Sequence, residues 1–191
     1  MGKKLYLVRH GETQFNVEHR VQGWCDSPLT ARGREQARTV GGYFEERGIA
    51  FDHAYCSTSE RASDTLELMT SMPYTRLRGL KEMNFGKLEG LPDYLCAKTP
   101  EECVSYYLPF GGDSSDWVRD RMVETLTQVM SQEGHECVLA VSHGAACAQV
   151  LRALNYDYRS SGKRLGNCCI VEYDYSPSLG LSVCDIYNPN D

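Results

Sequence analysis

The sequence predicts an α/β fold: a three-layer α/β/α sandwich around a largely parallel sheet. Two patterns point there. Short apolar runs alternate with longer segments of helical period along the chain, the order that builds parallel sheets covered by helices. The first long helical segment also carries end signals, with Thr30 before it and Gly48 after it. The length of 191 residues, with 41% hydrophobic and 10% aromatic residues, is enough for one globular domain with a real core. No internal repeat, low-complexity tract or linker divides it, so residues 1–191 read as one domain.

The elements follow in order. Lys4 to Arg9 is a buried strand. Thr30 to Arg47 has a helical period, with Leu29, Gln36, Ala37, Val40, Tyr43 and Phe44 on its inner face. Thr30 suits its N-cap, and Gly48 suits the position just past its end. Gly41-Gly42 inside that helix is unfavourable by propensity and suggests close packing. His53 to Ser57 is a second strand, Ser59 to Met69 a helix, and Thr75 to Leu80 a third, weaker strand. Asp113 to Gln132 is a helix closed by Gly134, and Cys137 to Ser142 is a strongly apolar strand that leads into a helix from Ala145 to Leu154. Cys168 to Tyr175 and Leu181 to Tyr187 form a strand pair joined by Ser-Pro-Ser-Leu-Gly, an antiparallel addition. Gly86 to Gly112 fits neither period and reads as a lid-like insertion rich in Tyr and Pro.

Bulk properties exclude several classes. A formal net charge of −6 argues against a nucleic-acid binder, which carries a basic excess or stripe. No apolar run approaches membrane-spanning length and no secretory signal is evident. The nine cysteines are odd in number and lack a CxxC pair, and several sit in apolar runs. They read as small hydrophobes of a reduced, cytoplasmic protein, not as disulfides or zinc ligands.

Ligands of open α/β sheets bind at the carboxyl ends of the strands. Arg9, His10 and Gly11 follow the first strand. Ser57, Ser59 and Arg61 follow the second, Lys81 and Glu82 the third, and His143 and Gly144 the strand Cys137 to Ser142. Two arginines, two histidines and a carboxylate thus converge on one edge, and glycines after both histidines leave room for something bulky.

Arg9-His10-Gly11-Glu12-Thr13 with Asn16 resembles the signature of the histidine phosphatase (phosphoglycerate mutase-like) superfamily. Further segments occur in that family's order: VQGWCDSPLTARGREQA (Val21 to Ala37), STSERASDT (Ser57 to Thr65), LKEMNFGKLEG (Leu80 to Gly90), GGDS (Gly111 to Ser114) and VSHGA (Val141 to Ala145). The resemblance implies a metal-independent phosphomonoester hydrolase without cofactor. His10 would take the phosphoryl group; Arg9, Arg61 and His143 would hold its oxygens, with Asn16 as a neutral donor and Gly144 beside them. A guanidinium fork matches two phosphate oxygens, and positioned cations are the main way to stabilise charge in phosphoryl transfer. Glu82 would protonate the leaving oxygen and then activate water, with Glu89 as the rival acid. Gln22 and Gly23 lie where the family contacts substrate beyond its phosphate, with Arg20 nearby.

Other residues leave alternatives open. Ser57 either hydrogen-bonds near His10 or only ends a strand. Tyr94, Tyr106, Tyr107 and Phe110 either line an apolar pocket or pack a lid onto the core. His19, His53 and His135 lack partners in the pattern, and nothing marks Cys25 as reactive. Hydrolysis is favoured over a 2,3-bisphosphoglycerate-dependent mutase because Met83, not arginine, follows Glu82 and the insertion lacks paired arginines. A non-catalytic phospho-ligand sensor ranks last, since nucleophile and acid are both present. The expected partner is a small phosphorylated metabolite, with no nucleic acid or membrane, bound by a monomer or homodimer.

Overall fold

The computed structural model describes residues 2–191. Six strands form one sheet in the order β3-β2-β4-β1-β5-β6. These are β1 (Lys3–Arg9), β2 (His53–Ser57), β3 (Thr75–Leu77), β4 (Cys137–Ser142), β5 (Ile170–Ser176) and β6 (Gly180–Tyr187). The first four run parallel, and β5 pairs antiparallel with β1 and β6. The helices are α1 (Gln14–Val17), α2 (Ala31–Glu46), α3 (Glu60–Met69), α4 (Ser115–Met130) and α5 (Gly144–Ala153).

Two cores lie on the two faces of the sheet. Tyr6 and Val8 of β1 pack with Val40, Phe44 and Leu66 of α2 and α3. Leu5 and Leu7 pack with Val118, Met122, Val150 and Leu151 of α4 and α5. The alternation along β1 therefore feeds both layers, which is why its apolar run is continuous. Among the described residues, no helix is long and apolar enough to cross a membrane.

Local chemistry sets the ends. Thr30 caps α2 by accepting from the Gly33 N–H, and Ser114 caps α4 through the Asp116 N–H. Two strand boundaries differ from the sequence reading by more than one residue. β3 stops at Leu77, and a 3₁₀ turn over Arg78–Leu80 carries the chain on to Glu82. Cys168 has a φ of +58°, outside strand geometry, and β5 begins at Ile170. Residues 86–112 hold four short 3₁₀ turns and no longer element. Tyr94 is exposed there, while Tyr107 is buried and its hydroxyl accepts from the Ala97 N–H.

Candidate active site

Parallel register brings the two histidines together. Arg9 stands opposite Ser142 in the β1–β4 ladder, so the next residues, His10 and His143, leave the sheet side by side. Their rings meet edge-on with centroids 5.3 Å apart. Cys56 stands opposite Val141 in the β2–β4 ladder, which sets Ser57 beside the same edge. Arg61 is delivered by the first turn of α3, and its side chain is fully enclosed. Glu82 is buried beyond the 3₁₀ turn, flanked by Leu80 and Met83 of the core.

His10 is 4% exposed. Its Nδ1–H donates to the Gly11 carbonyl at 2.8 Å, which fixes the tautomer and leaves Nε2 without a partner. Burial, with the Arg61 and Arg9 guanidinium groups beside it, holds the imidazole well below its ordinary value. The ring is therefore neutral, as a nitrogen nucleophile must be. The Gly11 N–H is held by Thr65 Oγ1 at 3.0 Å. Asn167 Nδ2 donates to the His10 carbonyl and to Asn16 Oδ1. Asn16 Oδ1 also accepts from the Thr13 N–H, which leaves the Asn16 amide nitrogen free to donate.

His143 is completely buried and is likewise held well below its ordinary value, by burial and by Arg61. It is neutral, which removes the protonated alternative in the ligand-free protein. Its Nε2 lies 2.7 Å from Ser57 Oγ, so Ser57 serves His143, not His10. Ser57 Oγ already accepts from the Ser59 N–H. His143 Nδ1 is buried without a partner.

Arg61 donates to Asp26 Oδ1 at 2.9 Å and to the carbonyls of Cys25 and Gly23 at 3.0 and 2.8 Å. Its Nε has no partner, and neither has Arg9 Nε, while Arg9 Nη1 donates to the Leu165 carbonyl at 2.6 Å. An unpaired buried polar group costs about 1–3 kcal/mol. Two such donors, Arg9 Nε and Arg61 Nε, and the unpaired His143 Nδ1 belong to the side chains packed around His10.

Glu82 caps α5. Its Oε1 accepts from the Met83 and Ala146 N–H groups at 2.9 and 2.8 Å, and Oε2 from the Ala145 N–H at 3.0 Å. With a single partner, Oε2 keeps lone-pair capacity for a proton. Glu82, Arg9, His10, Asn16, Gln22 and Gly144 all line one cavity of about 800 Å³. Arg61, Gly23 and His143 stand behind that wall. Glu89 does not reach it: its carboxylate accepts from the Trp24, Cys25 and Phe85 N–H groups and locks the loop that orients Arg61. None of Tyr94, Tyr106, Tyr107 and Phe110 lines the cavity, whereas Phe85, Cys96 and Cys103 do.

Residues 5–182 match the family described as the histidine phosphatase superfamily (branch 1). The chain belongs to the histidine phosphatase superfamily. It is 34% identical to a protein named "Probable phosphoglycerate mutase GpmB" from Shigella dysenteriae, over 94% of this chain and 88% of that one. It is 31% identical to a broad-specificity phosphatase of Saccharomyces cerevisiae, over 90% and 79%. A 40% match to a 2,3-bisphosphoglycerate-dependent phosphoglycerate mutase of Hamiltonella defensa spans 47% of this chain and only 38% of that protein. Among solved structures, Bacillus stearothermophilus YhfR superposes with a TM-score of 0.83 at 28% identity, covering 98% and 99% of the two chains. A phosphoserine phosphatase from Entamoeba histolytica, solved with 3-phosphoglyceric acid, gives 0.77 at 26%, covering 96% and 95%.

In this histidine phosphatase superfamily chain, the residues that sequence reasoning missed are braces. Arg121 of α4 donates to the carbonyls of Gly79 and Lys81 at 2.7 and 2.8 Å and to that of Glu82 at 3.3 Å, and so clamps the turn before the carboxylate. Ser142 Oγ holds the Leu80 carbonyl at 2.8 Å, and Asn167 and Thr65 hold the His10–Gly11 backbone. Each acts across at least 39 residues of sequence, so no local spacing could announce it. Cys25 is half-buried, and burial pushes its thiol up.

Proposed function

We propose that the chain hydrolyses small phosphorylated metabolites without a metal, through a phosphohistidine on His10. The observation that supports this best is the set of unpaired donors around a neutral, tautomer-fixed His10: a phosphoryl group there supplies the acceptors they lack. In the first step His10 Nε2 attacks phosphorus and the P–O bond to the alcohol breaks. The alcohol oxygen takes its proton from Glu82. Arg9 and Arg61 carry the equatorial charge, with neutral donors from His143 Nδ1–H and Asn16. In the second step water attacks phosphorus, Glu82 takes its proton, the N–P bond breaks, and orthophosphate leaves with His10 regenerated. Gln22 and Gly144 line the space next to the phosphate site, and Gly23 acts through the carbonyl it offers Arg61. We read residues 86–112 as a lid-like insertion within a single domain. The unpaired cysteines suit a reducing cytoplasm.

The test is hydrolysis of p-nitrophenyl phosphate with and without EDTA. Activity should persist in EDTA and fall to background in His10→Ala, with acid-labile phosphate trapped on the wild-type protein. No turnover of any phosphomonoester would sink the reading. Interconversion of 2- and 3-phosphoglycerate dependent on bisphosphoglycerate would replace it with a mutase.

A further inference from the structure

The cavity extends well past the groups that handle phosphate, into the size range of sites for whole organic ligands. One wall is a single face of α5. Ala145, Ala148, Gln149 and Arg152 all line it, at the i, i+3, i+4, i+7 spacing of one helical stripe. The stripe starts at the proton donor, because the Ala145 N–H is bonded to Glu82. Seven residues further, at about 1.5 Å each, it reaches Arg152 about 10 Å away.

The far end of this stripe is polar and incompletely paired. Gln149 Oε1 and Arg152 Nε are buried without partners. Arg152 Nη2 is held by Asp116 Oδ1 at 2.5 Å, which anchors the guanidinium while leaving the other edge unused. In a helix such side chains lean back toward the N-terminus, here toward the catalytic end. Lys98 and Arg159 also line this part. The carboxylates on the same wall are engaged elsewhere: Asp157 by the Ser160 hydroxyl and by the N–H groups of Arg159 and Ser160, and Asp93 by His19. Ala145 and Ala148, between Glu82 and Gln149, form a smooth apolar stretch. Arg152, Lys98 and Arg159 stand at this end beside Asp116, Asp157 and Asp93, and the unpaired Arg152 Nε leaves a charged donor in want of an acceptor.

We infer that the preferred substrates are extended phosphomonoesters whose leaving group carries a second anionic group, bound at Arg152 with Lys98 and Arg159 at the mouth. This rests on the phosphatase reading above. The alanine stretch takes the intervening carbon chain, and Gln149 takes a hydroxyl or amide N–H on the way.

The test uses phosphate esters of ω-hydroxyalkanoic acids with three to eight carbons, the methyl amide of each, and the matching alkanediol bisphosphates, with p-nitrophenyl phosphate as reference. The kcat/KM of the acids should rise with length to a maximum at the middle of the series. There the acid should exceed its own amide by about tenfold, as one charge-assisted contact supplies, and the bisphosphates should follow the acids if any terminal anion serves. Arg152→Met should bring the acid-to-amide ratio near one. That ratio is internal to each variant and does not depend on how much enzyme folds. Lys98→Ala/Arg159→Ala, both on the exposed rim, should lower it in part. Hydrolysis of p-nitrophenyl phosphate with no dependence on length or terminal charge overturns this inference and leaves the phosphatase. No hydrolysis of any ester, the reference included, overturns both.

Discussion

The same substitution at three points of α2 should give opposite results, because only some of its glycines are in contact. A Cβ on Gly33 would lie 2.0 Å from the Glu12 carbonyl oxygen and 2.8 Å from the Glu12 nitrogen. Those are backbone atoms, so helix and loop must separate by more than about 1 Å to reach ordinary contact. Overpacking of this kind costs about 1–3 kcal/mol and sits against a propensity gain of about 1 kcal/mol for Gly→Ala in a helix. With a backbone clash of this depth the strain lies in the upper part of that range, and Gly33→Ala should destabilise by a net ~1–2 kcal/mol. At Gly42 a Cβ meets nothing within 4 Å, so Gly42→Ala should stabilise by about 0.5–1 kcal/mol. Gly41, whose Cβ would lie 2.8 Å from the Met69 carbonyl, should fall between. Gly33→Ala should also lower kcat about tenfold or more. It pushes on Glu12, and the adjacent Gly11 carbonyl is what holds His10 Nδ1. Urea unfolding of the three variants and p-nitrophenyl phosphate turnover measure both effects. A Gly33→Ala protein as stable as wild type, or a Gly42→Ala protein clearly less stable, would refute the packing argument.

Two further outcomes follow from the buried groups. His10 and His143 titrate well below 6.5 in the folded chain, so the unfolded chain binds more protons once the pH drops below about 6.5. Stability should be complete above that value and fall by up to about 1.4 kcal/mol per pH unit for each histidine below it. Urea unfolding from pH 7.5 to 5 reads the slope, and a His10→Gln/His143→Gln protein with an unchanged slope would contradict the assignment. Arg121→Met removes the cation from the carbonyls of Gly79, Lys81 and Glu82; it should cost about 2–4 kcal/mol and lower kcat more than it raises KM. Equal effects on kcat and KM, or none, would show that this clamp does not position Glu82.

Much of the fold was legible because its signals are local. The apolar runs of β1, β2 and β4 and the cap at Thr30 each depend on neighbours in sequence, and the strands match residue for residue or within one. β3 was overextended because Leu80 is buried from a 3₁₀ turn, and burial alone does not distinguish that turn from a strand. Gly41-Gly42 as a close-packing signal holds for Gly41 and not for Gly42, since spacing along a helix does not say which glycine another chain segment approaches.

The site divides in the same way. By itself, the sequence placed Arg9, His10 and His143 at strand ends and Arg61 and Glu82 in the segments that follow strands, with Gln22, Gly23, Asn16 and Gly144 around them. Their types suit the phosphate chemistry proposed above, which needs a nucleophile, cations and an acid whatever the fold. Tertiary structure alone decided their state. Parallel register set His10 against His143, burial beside guanidinium groups made both imidazoles neutral, and the Gly11 carbonyl placed the His10 hydrogen on Nδ1. Arg61 was tied to Asp26 and two loop carbonyls, and Glu82 to the start of α5. Ionisation and unpaired donors depend on distances between segments far apart in the chain, and one-dimensional spacing carries no record of those distances.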